Sequence, residues 1–294
     1  MTGKPHAMPK RSFGSIMLRI FIAAVILLAA AAAVLYFVGI RYVSSTAANG
    51  LTVKFFGVVD KDGAPARGVI RYSNGMTAKY DASTGRLEYS NGDVYEGTLK
   101  DMLKNGDGVL THKNGDVYTG WFQNDVFEGA GKYVYSGGDV YEGAFRDGKE
   151  NGTGTLTCAD GSSYVGSFKD GKLDGQGTFT YSDGTVYTGS FVADMREGQG
   201  EIVFSNGDRY VGDFKGDVRE GVGTYYWANG EKYEGEFRGN LMNGKGVYTF
   251  PGGRVYDGYF ENGVIVRTDG AAADTQLPET DDTDGNAANP ENGG

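Results

Sequence analysis

The sequence is poor in the residue types that carry most enzyme and metal chemistry. Its 294 residues include one cysteine, Cys158, and two histidines, His6 and His112. A single cysteine excludes a disulfide within the chain and cannot supply the clustered Cys and His ligands of a structural zinc site. His112 and Cys158 fall at equivalent positions of two repeat units, about 20 Å apart at ~4.8 Å per strand. We therefore predict no metal, no cofactor and no nucleophile–base pair, and we expect both residues to fill an aromatic position.

The chain lacks an excess of positive charge, since 38 acidic residues against 28 basic ones give a formal net charge of −10. Nucleic-acid binding requires a basic stripe, so we predict no nucleic-acid partner. The recurring Gly-x-Gly segments are not followed by the Lys-Ser/Thr of a phosphate loop, and a turn or a close backbone approach explains these glycines better.

What the sequence does contain is one motif, Tyr-x-Gly, eight times at a spacing of 23 residues. A fixed period of this length indicates a repeat array, in which each unit buries its apolar face against its neighbours. The motif residues are Tyr95, Gly97, Tyr118, Gly120, Tyr141, Gly143, Tyr164, Gly166, Tyr187, Gly189, Tyr210, Gly212, Tyr233, Gly235, Tyr256 and Gly258.

Each unit has the pattern of a β-hairpin. A further glycine lies ten residues before each tyrosine, and turn dipeptides such as Asn91-Gly92 and Asp183-Gly184 lie between them, flanked by alternating apolar residues. This predicts a hairpin with a two-residue type I′ turn in each unit. We expect a longer polar loop, such as Lys100 to Asp107, to join one hairpin to the next.

Acidic residues follow many of these turns, as at Asp93, Asp116, Asp139, Asp208 and Glu231. Paired carboxylates can hydrolyse glycosides, but the acid is replaced by Ser162, Thr185 or Arg254 in other units. We therefore expect solvated carboxylates and predict that the protein is not an enzyme.

The unit resembles the MORN repeat, for example over residues 200–214 (GEIVFSNGDRYVGDF). The resemblance covers eight regular units over 85–263, and a degenerate capping repeat with a shortened loop precedes them at 55–84. It implies an all-β fold, an elongated single antiparallel sheet of stacked β-hairpin repeats with a ladder of aromatic side chains. It implies no reaction, because MORN arrays occur in scaffolds, in membrane-junction proteins and as appendages of enzymes.

The two ends differ from the array. Residues 1–41 carry five basic residues and no acidic one, and residues 20–40 contain no charge. At ~1.5 Å per residue that stretch is about 30 Å long, so we predict a transmembrane α-helix acting as an uncleaved signal anchor. The predicted division is a basic cytoplasmic tail at 1–19, the anchor at 20–40, a linker at 41–54 and, after the repeats, an acidic disordered tail at 264–294.

The basic residues before residues 20–40 predict a cytoplasmic amino terminus and extracytoplasmic repeats in a single-pass membrane protein. A shorter apolar core is typical of cleaved signal peptides, and cleavage near Ser45-Thr46-Ala47 with secretion is the alternative. The acidic array disfavours docking on anionic lipid, so residues 20–40 are the predicted membrane contact.

Aromatic side chains are the remaining candidates for binding, with 20 tyrosines and 16 phenylalanines in the chain. Most of them must form the core, but a partly open aromatic groove could bind a ligand. The candidates that most exceed the typical repeat residue are Trp121, Tyr225, Trp227 and Tyr259. The sequence thus predicts a membrane-anchored, non-enzymatic scaffold for an unknown protein partner. The alternative is an extracytoplasmic module that binds carbohydrate or cell-envelope glycan.

Overall fold

The computed structural model describes residues 13–46 and 50–266, with side chains from residue 21 onward. The chain divides into two compact units, residues 1–103 and 104–294. The strands and the helix are α1 (Phe13–Phe37), β1 (Ile40–Thr46), β2 (Thr52–Val59), β3 (Pro65–Tyr72), β4 (Thr77–Asp81), β5 (Arg86–Tyr89), β6 (Val94–Lys100), β7 (Leu103–Thr111), β8 (Val117–Gln123), β9 (Val126–Val134), β10 (Val140–Arg146), β11 (Lys149–Thr157), β12 (Ser163–Lys169), β13 (Lys172–Thr180), β14 (Val186–Val192), β15 (Met195–Val203), β16 (Arg209–Lys215), β17 (Val218–Tyr226), β18 (Lys232–Arg238), β19 (Leu241–Thr249), β20 (Val255–Glu261) and β21 (Val264–Val266).

The first unit consists of α1 and an antiparallel run of strands from β1 to β6. The described side chains of α1, from Phe21 to Phe37, are all exposed. The helix ends at Phe37, three residues before the predicted limit, and β1 and β2 occupy most of the predicted linker at 41–54. In the described part of the chain, no helix has the combination of length and apolarity needed to cross a bilayer, so the predicted membrane-spanning segment at 20–40 is not supported.

The segment predicted as a degenerate repeat has the geometry of a repeat hairpin. Gly57 and Gly68 face each other on β2 and β3, and Phe55 takes the place of the usual tyrosine. A Cβ atom on Gly57 would come within 2.8 Å of the Phe55 ring. The same close packing therefore begins before the first Tyr-x-Gly motif.

The second unit is a succession of antiparallel strands in which each strand pairs with the next, from β7 with β8 to β20 with β21. One face, here called the inner face, carries the Tyr-x-Gly tyrosines of this unit, which are buried apart from the half-buried Tyr256. The opposite face, here called the outer face, is largely exposed because side chains alternate along a strand. The predicted all-β architecture of antiparallel hairpins is confirmed within each unit.

The predicted turn types were wrong in detail. At Asn114-Gly115 only the glycine has a positive φ, at 101°, and Gly115 N–H donates to the His112 carbonyl at 2.9 Å. This is a three-residue connection with a glycine in the left-handed region. The Asn114 side chain accepts the Asp116 N–H at 3.0 Å, which holds asparagine there without a positive φ.

The two-residue turns lie instead at the opposite ends of the strands, where we expected longer loops. In the second unit both residues of each turn have positive φ, between 49° and 54° at the first and between 71° and 83° at the second. These values fit type I′ turns, whose twist matches that of the strands. The turns are Asn124-Asp125, Asp147-Gly148, Asp170-Gly171, Ala193-Asp194, Gly216-Asp217, Gly239-Asn240 and Asn262-Gly263.

These turns also join neighbouring hairpins. Asp125 N–H donates to the Lys104 carbonyl at 3.0 Å, and the Asp125 carboxylate accepts the Lys104 N–H at 2.8 Å. Asp217 makes the same two bonds with Arg196. An aspartate at the second turn position therefore ties its own hairpin to the preceding one.

Candidate functional site

The Tyr-x-Gly motif is a packing device of the inner face. The Tyr118 ring lies across Gly120 and, on the paired strand, Gly131. A Cβ atom would lie 2.5 Å from the Tyr118 hydroxyl at Gly120 and 2.6 Å from it at Gly131. Only glycine leaves room for the ring, which confirms the close backbone approach expected for these glycines. The Tyr118 hydroxyl donates to the Trp121 carbonyl at 3.0 Å, so the buried phenol has a hydrogen-bond partner.

The motif tyrosines also join one repeat to the next. Tyr141 makes edge-to-face contacts with Phe145 of its own strand, at 5.1 Å between ring centroids, and with Phe168 of the next repeat, at 4.9 Å. Tyr210 has the same two contacts with Phe214 and Phe237. Edge-to-face pairs of this kind add stabilisation beyond their buried area.

Burial changes the ionisation of these phenols. Desolvation raises the pKa of Tyr118 to about 12, with a smaller contribution from the charge of Glu128, and desolvation likewise raises the pKa of Tyr164 to about 12. A phenol that ionises at a lower pH in the unfolded chain favours unfolding as pH rises.

We therefore expect alkaline unfolding. The stabilisation linked to these phenols is fully present below pH 10, the ordinary pKa of tyrosine, and is lost as pH rises through about 12. Tyrosinate absorbance and circular dichroism, followed together on the full chain, should change in one cooperative step. Gradual tyrosinate formation near pH 10 with the fold intact would contradict this expectation.

Three of the five carboxylates that follow the turns, Asp116, Asp208 and Glu231, are buried, contrary to the sequence-based expectation, and Asp93 and Asp139 are half-buried. Asp208 is 6% exposed, accepts the Tyr225 hydroxyl at 2.8 Å and accepts the Ala228 N–H of the next turn at 2.8 Å. The sequence showed the recurring acid but not its partner, which lies about one repeat further along the chain. Asp208 thus ties one turn to the next, a structural role that requires no reaction.

Asp116 occupies the equivalent position and shows how such a carboxylate stays charged. It accepts hydrogen bonds from Tyr133 at 3.1 Å and from the Ser136 N–H at 2.7 Å. Burial acts to raise the pKa of Asp116, but these bonds and one from Asn114 outweigh burial and hold the pKa below its usual value.

The structure separates the four aromatic residues proposed as a binding surface. Tyr225 and Trp227 are buried, at 0% and 6% exposure, and belong to the core of the inner face. Trp121 and Tyr259 lie on the outer face and are 47% and 56% exposed. They sit on β8 and β20, so they do not form one small patch.

His112 and Cys158 end up at equivalent positions of the three-residue turns after β7 and β11. The His112 ring lies 6.4 Å from that of Tyr133, and burial raises the pKa of the Cys158 thiol above its ordinary value. Within residues 13–46 and 50–266, no three Cys, His, Asp or Glu side chains are grouped so that they could hold a metal ion.

A cavity on the inner face was not anticipated from the sequence. It has a volume of about 300 Å³ and is lined by residues from β9 to the turn between β12 and β13. Its lining combines aromatic residues with Lys149, Glu150 and Asp170. The aromatic residues are Phe127, Tyr133, Tyr135 and Phe145. The Tyr135 hydroxyl donates a hydrogen bond to Glu150.

Comparison with known proteins identifies the array. The MORN repeat family matches seven consecutive segments, residues 95–117, 118–140, 141–163, 164–186, 187–209, 210–232 and 233–253. These segments cover more than half of the chain, and the chain belongs to the MORN repeat family. The family's repeat begins at the tyrosine, so its phase differs from the predicted hairpin, and it includes seven of the eight predicted units. No curated protein matches the chain.

Solved structures resemble the chain only distantly. The TCP domain of SAS-4 from Drosophila melanogaster, in complex with a proline-rich motif of Ana2, is 17% identical over 52% of this chain and 83% of that chain, with a TM-score of 0.34. A streptogramin B lyase is 13% identical over 80% of this chain and 89% of that chain, with a TM-score of 0.14. Neither likeness bears on function.

Proposed function

We propose that the protein is a non-enzymatic repeat scaffold that presents an extended β surface to a protein partner. The observation that supports the proposal is the difference between the two faces of the sheet. The motif residues of the inner face are used in packing one repeat on the next, whereas the outer face of the second unit exposes large apolar side chains. Trp121, Val165, Val222 and Tyr259 are all exposed there.

Charged side chains also lie on the outer face. Lys132 and Glu142 form an ion pair at 3.5 Å on β9 and β10, and Arg209 pairs with Glu201 on β16 and β15. Exposed aromatic and aliphatic side chains within a polar surround are typical of surfaces that bind proteins. Tryptophan and tyrosine contribute most in such surfaces because they offer large, rigid contact area.

The proposal is tested by replacing the exposed aromatics in the full chain. Trp121→Ala and Tyr259→Ala should each reduce capture of the partner by tenfold or more, on the order of the effect of losing an interface anchor. Glu142→Gln, which changes an exposed charged residue of the same face, serves as the control and should bind as the wild type. If both alanine variants retain full capture while remaining folded, the outer face is not the docking surface.

The alternative is a module that binds carbohydrate or envelope glycan. The inner-face cavity favours it, because aromatic rings beside polar side chains can hold a sugar ring. Titration of the full chain with soluble wall glycans separates the two functions. Glycan binding that survives Trp121→Ala but not Tyr135→Ala would favour the alternative.

The location of the protein stays a prediction. The basic residues before residues 20–40 and the exposed apolar side chains of α1 are compatible with membrane association, with the repeats outside. Fractionation of the full-length chain and a reporter fused after residue 267 would distinguish a membrane-held protein from one secreted after cleavage.

A further inference from the structure

The cavity on the inner face exists because two consecutive type I′ turns carry glycine. The second turn position is Asp125, Asp194, Asp217 or Asn240 in four other turns, and each of these side chains reaches the preceding hairpin. Gly148 and Gly171 have no side chain to place there, and both line the cavity. The space is thus built into the repeat rather than left by a loop.

Two other repeats show what can fill the equivalent space. The inner-face position that is Glu150 on β11 becomes Arg196 on β15 and Arg219 on β17, two and three repeats further on. Both arginines are fully buried. They are the largest side chains in this position of the array.

The buried guanidinium groups lie against aromatic rings and a turn. The Cζ atom of Arg196 is 5.3 Å from the centroid of the Phe214 ring and 5.6 Å from that of Tyr187. Its Nε donates to the Asp217 carboxylate at 3.3 Å, and its Nη2 donates to the Asp217 carbonyl. Arg219 lies 5.2 Å from the centroid of the Tyr225 ring. The inner face therefore accommodates a guanidinium between aromatic rings next to an acidic group.

The rings that line the cavity are not the equivalents of the two rings beside Arg196. One of them, Tyr135, is the equivalent of Phe204, whose ring centroid lies 5.8 Å from the Arg219 Cζ atom. The side chain at the arginine position of the cavity is acidic. Glu150 accepts the hydrogen bond from Tyr135, and Asp170 of the next turn lies on the rim. Lys149 is the positive side chain in the lining, so the two carboxylates outnumber it. A carboxylate can accept further hydrogen bonds beyond the one from Tyr135, since its two oxygens offer about four acceptor sites.

From these observations we propose that the cavity binds an arginine side chain of the protein partner. The guanidinium would lie against the aromatic residues of the cavity, as Arg219 lies near the Phe204 ring, and would pair with Glu150, as Arg196 pairs with Asp217. Arginine fits better than lysine because its planar group is more weakly hydrated, stacks on rings and donates two parallel hydrogen bonds to a carboxylate. This inference rests on the proposed scaffold function and adds the chemistry that the partner must carry.

The experiment uses the full chain and two synthetic tripeptides, glycine–arginine–glycine and the same peptide with citrulline, both blocked at their ends. Citrulline has nearly the shape of arginine but no charge. Titration calorimetry or tyrosine fluorescence should show the arginine peptide binding at least about tenfold more tightly than the citrulline peptide, as a charge-assisted pair requires. Glu150→Gln should remove that difference, and Glu142→Gln, on the outer face, should preserve it.

A second variant guards against a fold defect in Glu150→Gln. Gly148→Asn places in the turn the residue that Asn240 shows to be compatible with a φ of 71°. A Cβ atom at Gly148 would meet only Val126, at 3.7 Å. The asparagine should fill the cavity and weaken binding of the arginine peptide by tenfold or more, while the melting temperature stays that of the wild type.

Two results would overturn the proposal: equal binding of the two peptides by the wild type, or undiminished binding of the arginine peptide by both variants. If Trp121→Ala loses capture of the partner but still binds the arginine peptide, the defect lies in the outer-face surface and not in the cavity.

Discussion

Replacing Gly154 with alanine should unfold its part of the array. The Cβ atom of the new residue would lie 2.5 Å from the Tyr141 hydroxyl and 2.6 Å and 2.7 Å from two ring carbons. The ring cannot move away, because Phe145 and Phe168 hold it on two sides and its hydroxyl donates to the Ala144 carbonyl at 2.9 Å. We expect a loss of about 3 kcal/mol or more in the free energy of unfolding, at the upper end for overpacking.

Gly161→Ala is the matched control, in the turn that follows the same strand. A Cβ atom there would have no neighbour within 4 Å, although φ is 90°. The cost should be about 1 kcal/mol, from backbone strain alone. Urea unfolding followed by circular dichroism measures both variants. If the two glycines cost the same, the ring does not lie over the glycine pair as the structure has it.

Asp208→Ala should lower the free energy of unfolding nearly as much, although the sequence pattern predicts a solvent-exposed carboxylate at this position. It would remove the acceptor of the buried Tyr225 hydroxyl, at about 1–3 kcal/mol, and the acceptor of the Ala228 N–H at the exposed turn, at about 1 kcal/mol. We therefore expect about 2–4 kcal/mol in total. Asp208→Asn keeps one oxygen acceptor and should cost clearly less.

Asp107→Ala provides the comparison, because Asp107 is an exposed carboxylate on the outer face of β7. It should change the free energy of unfolding by about 0.5 kcal/mol or less. Thermal melts of the full-length chain rank the stabilities of Asp208→Ala, Asp208→Asn and Asp107→Ala. A mild effect of Asp208→Ala would mean that the tie between neighbouring turns contributes little to stability.

The hairpins were predictable because their signals are local. Alternation and a Gly-bearing turn lie within a dozen residues, as from Leu110 to Phe122, and they set the pairing of β7 with β8. The second set of turns was not recognised, because pairs such as Ala193-Asp194 lack the glycine that usually marks positive φ. What stabilises that turn is the bond from the Leu173 N–H to Asp194, 21 positions apart in sequence.

Whether a candidate site residue is exposed depends still more on residues that are distant in sequence. The sequence ranked Tyr225 with Trp121 as unusually large aromatics, but strand parity puts one inside and the other outside. The cavity had a readable signal that we did not use: glycine stands at 148 and 171 where other repeats have aspartate or asparagine. Such departures from a repeat's own consensus mark places where a binding function can be added without disturbing the fold.

The bonds between successive hairpins also determine which changes of chain length the array tolerates. The bonds that tie a turn to the preceding hairpin span a constant separation along the chain, such as the 21 residues between Leu173 and Asp194 and between Arg196 and Asp217. Removal or duplication of a complete 23-residue segment, such as 141–163, brings equivalent residues together, and each turn keeps its partners. A change of any odd number of residues within a strand would instead turn the tyrosines toward solvent and the outer-face residues toward the core. We therefore expect the array to tolerate the gain or loss of whole repeats and to be disrupted by odd-numbered changes within a strand.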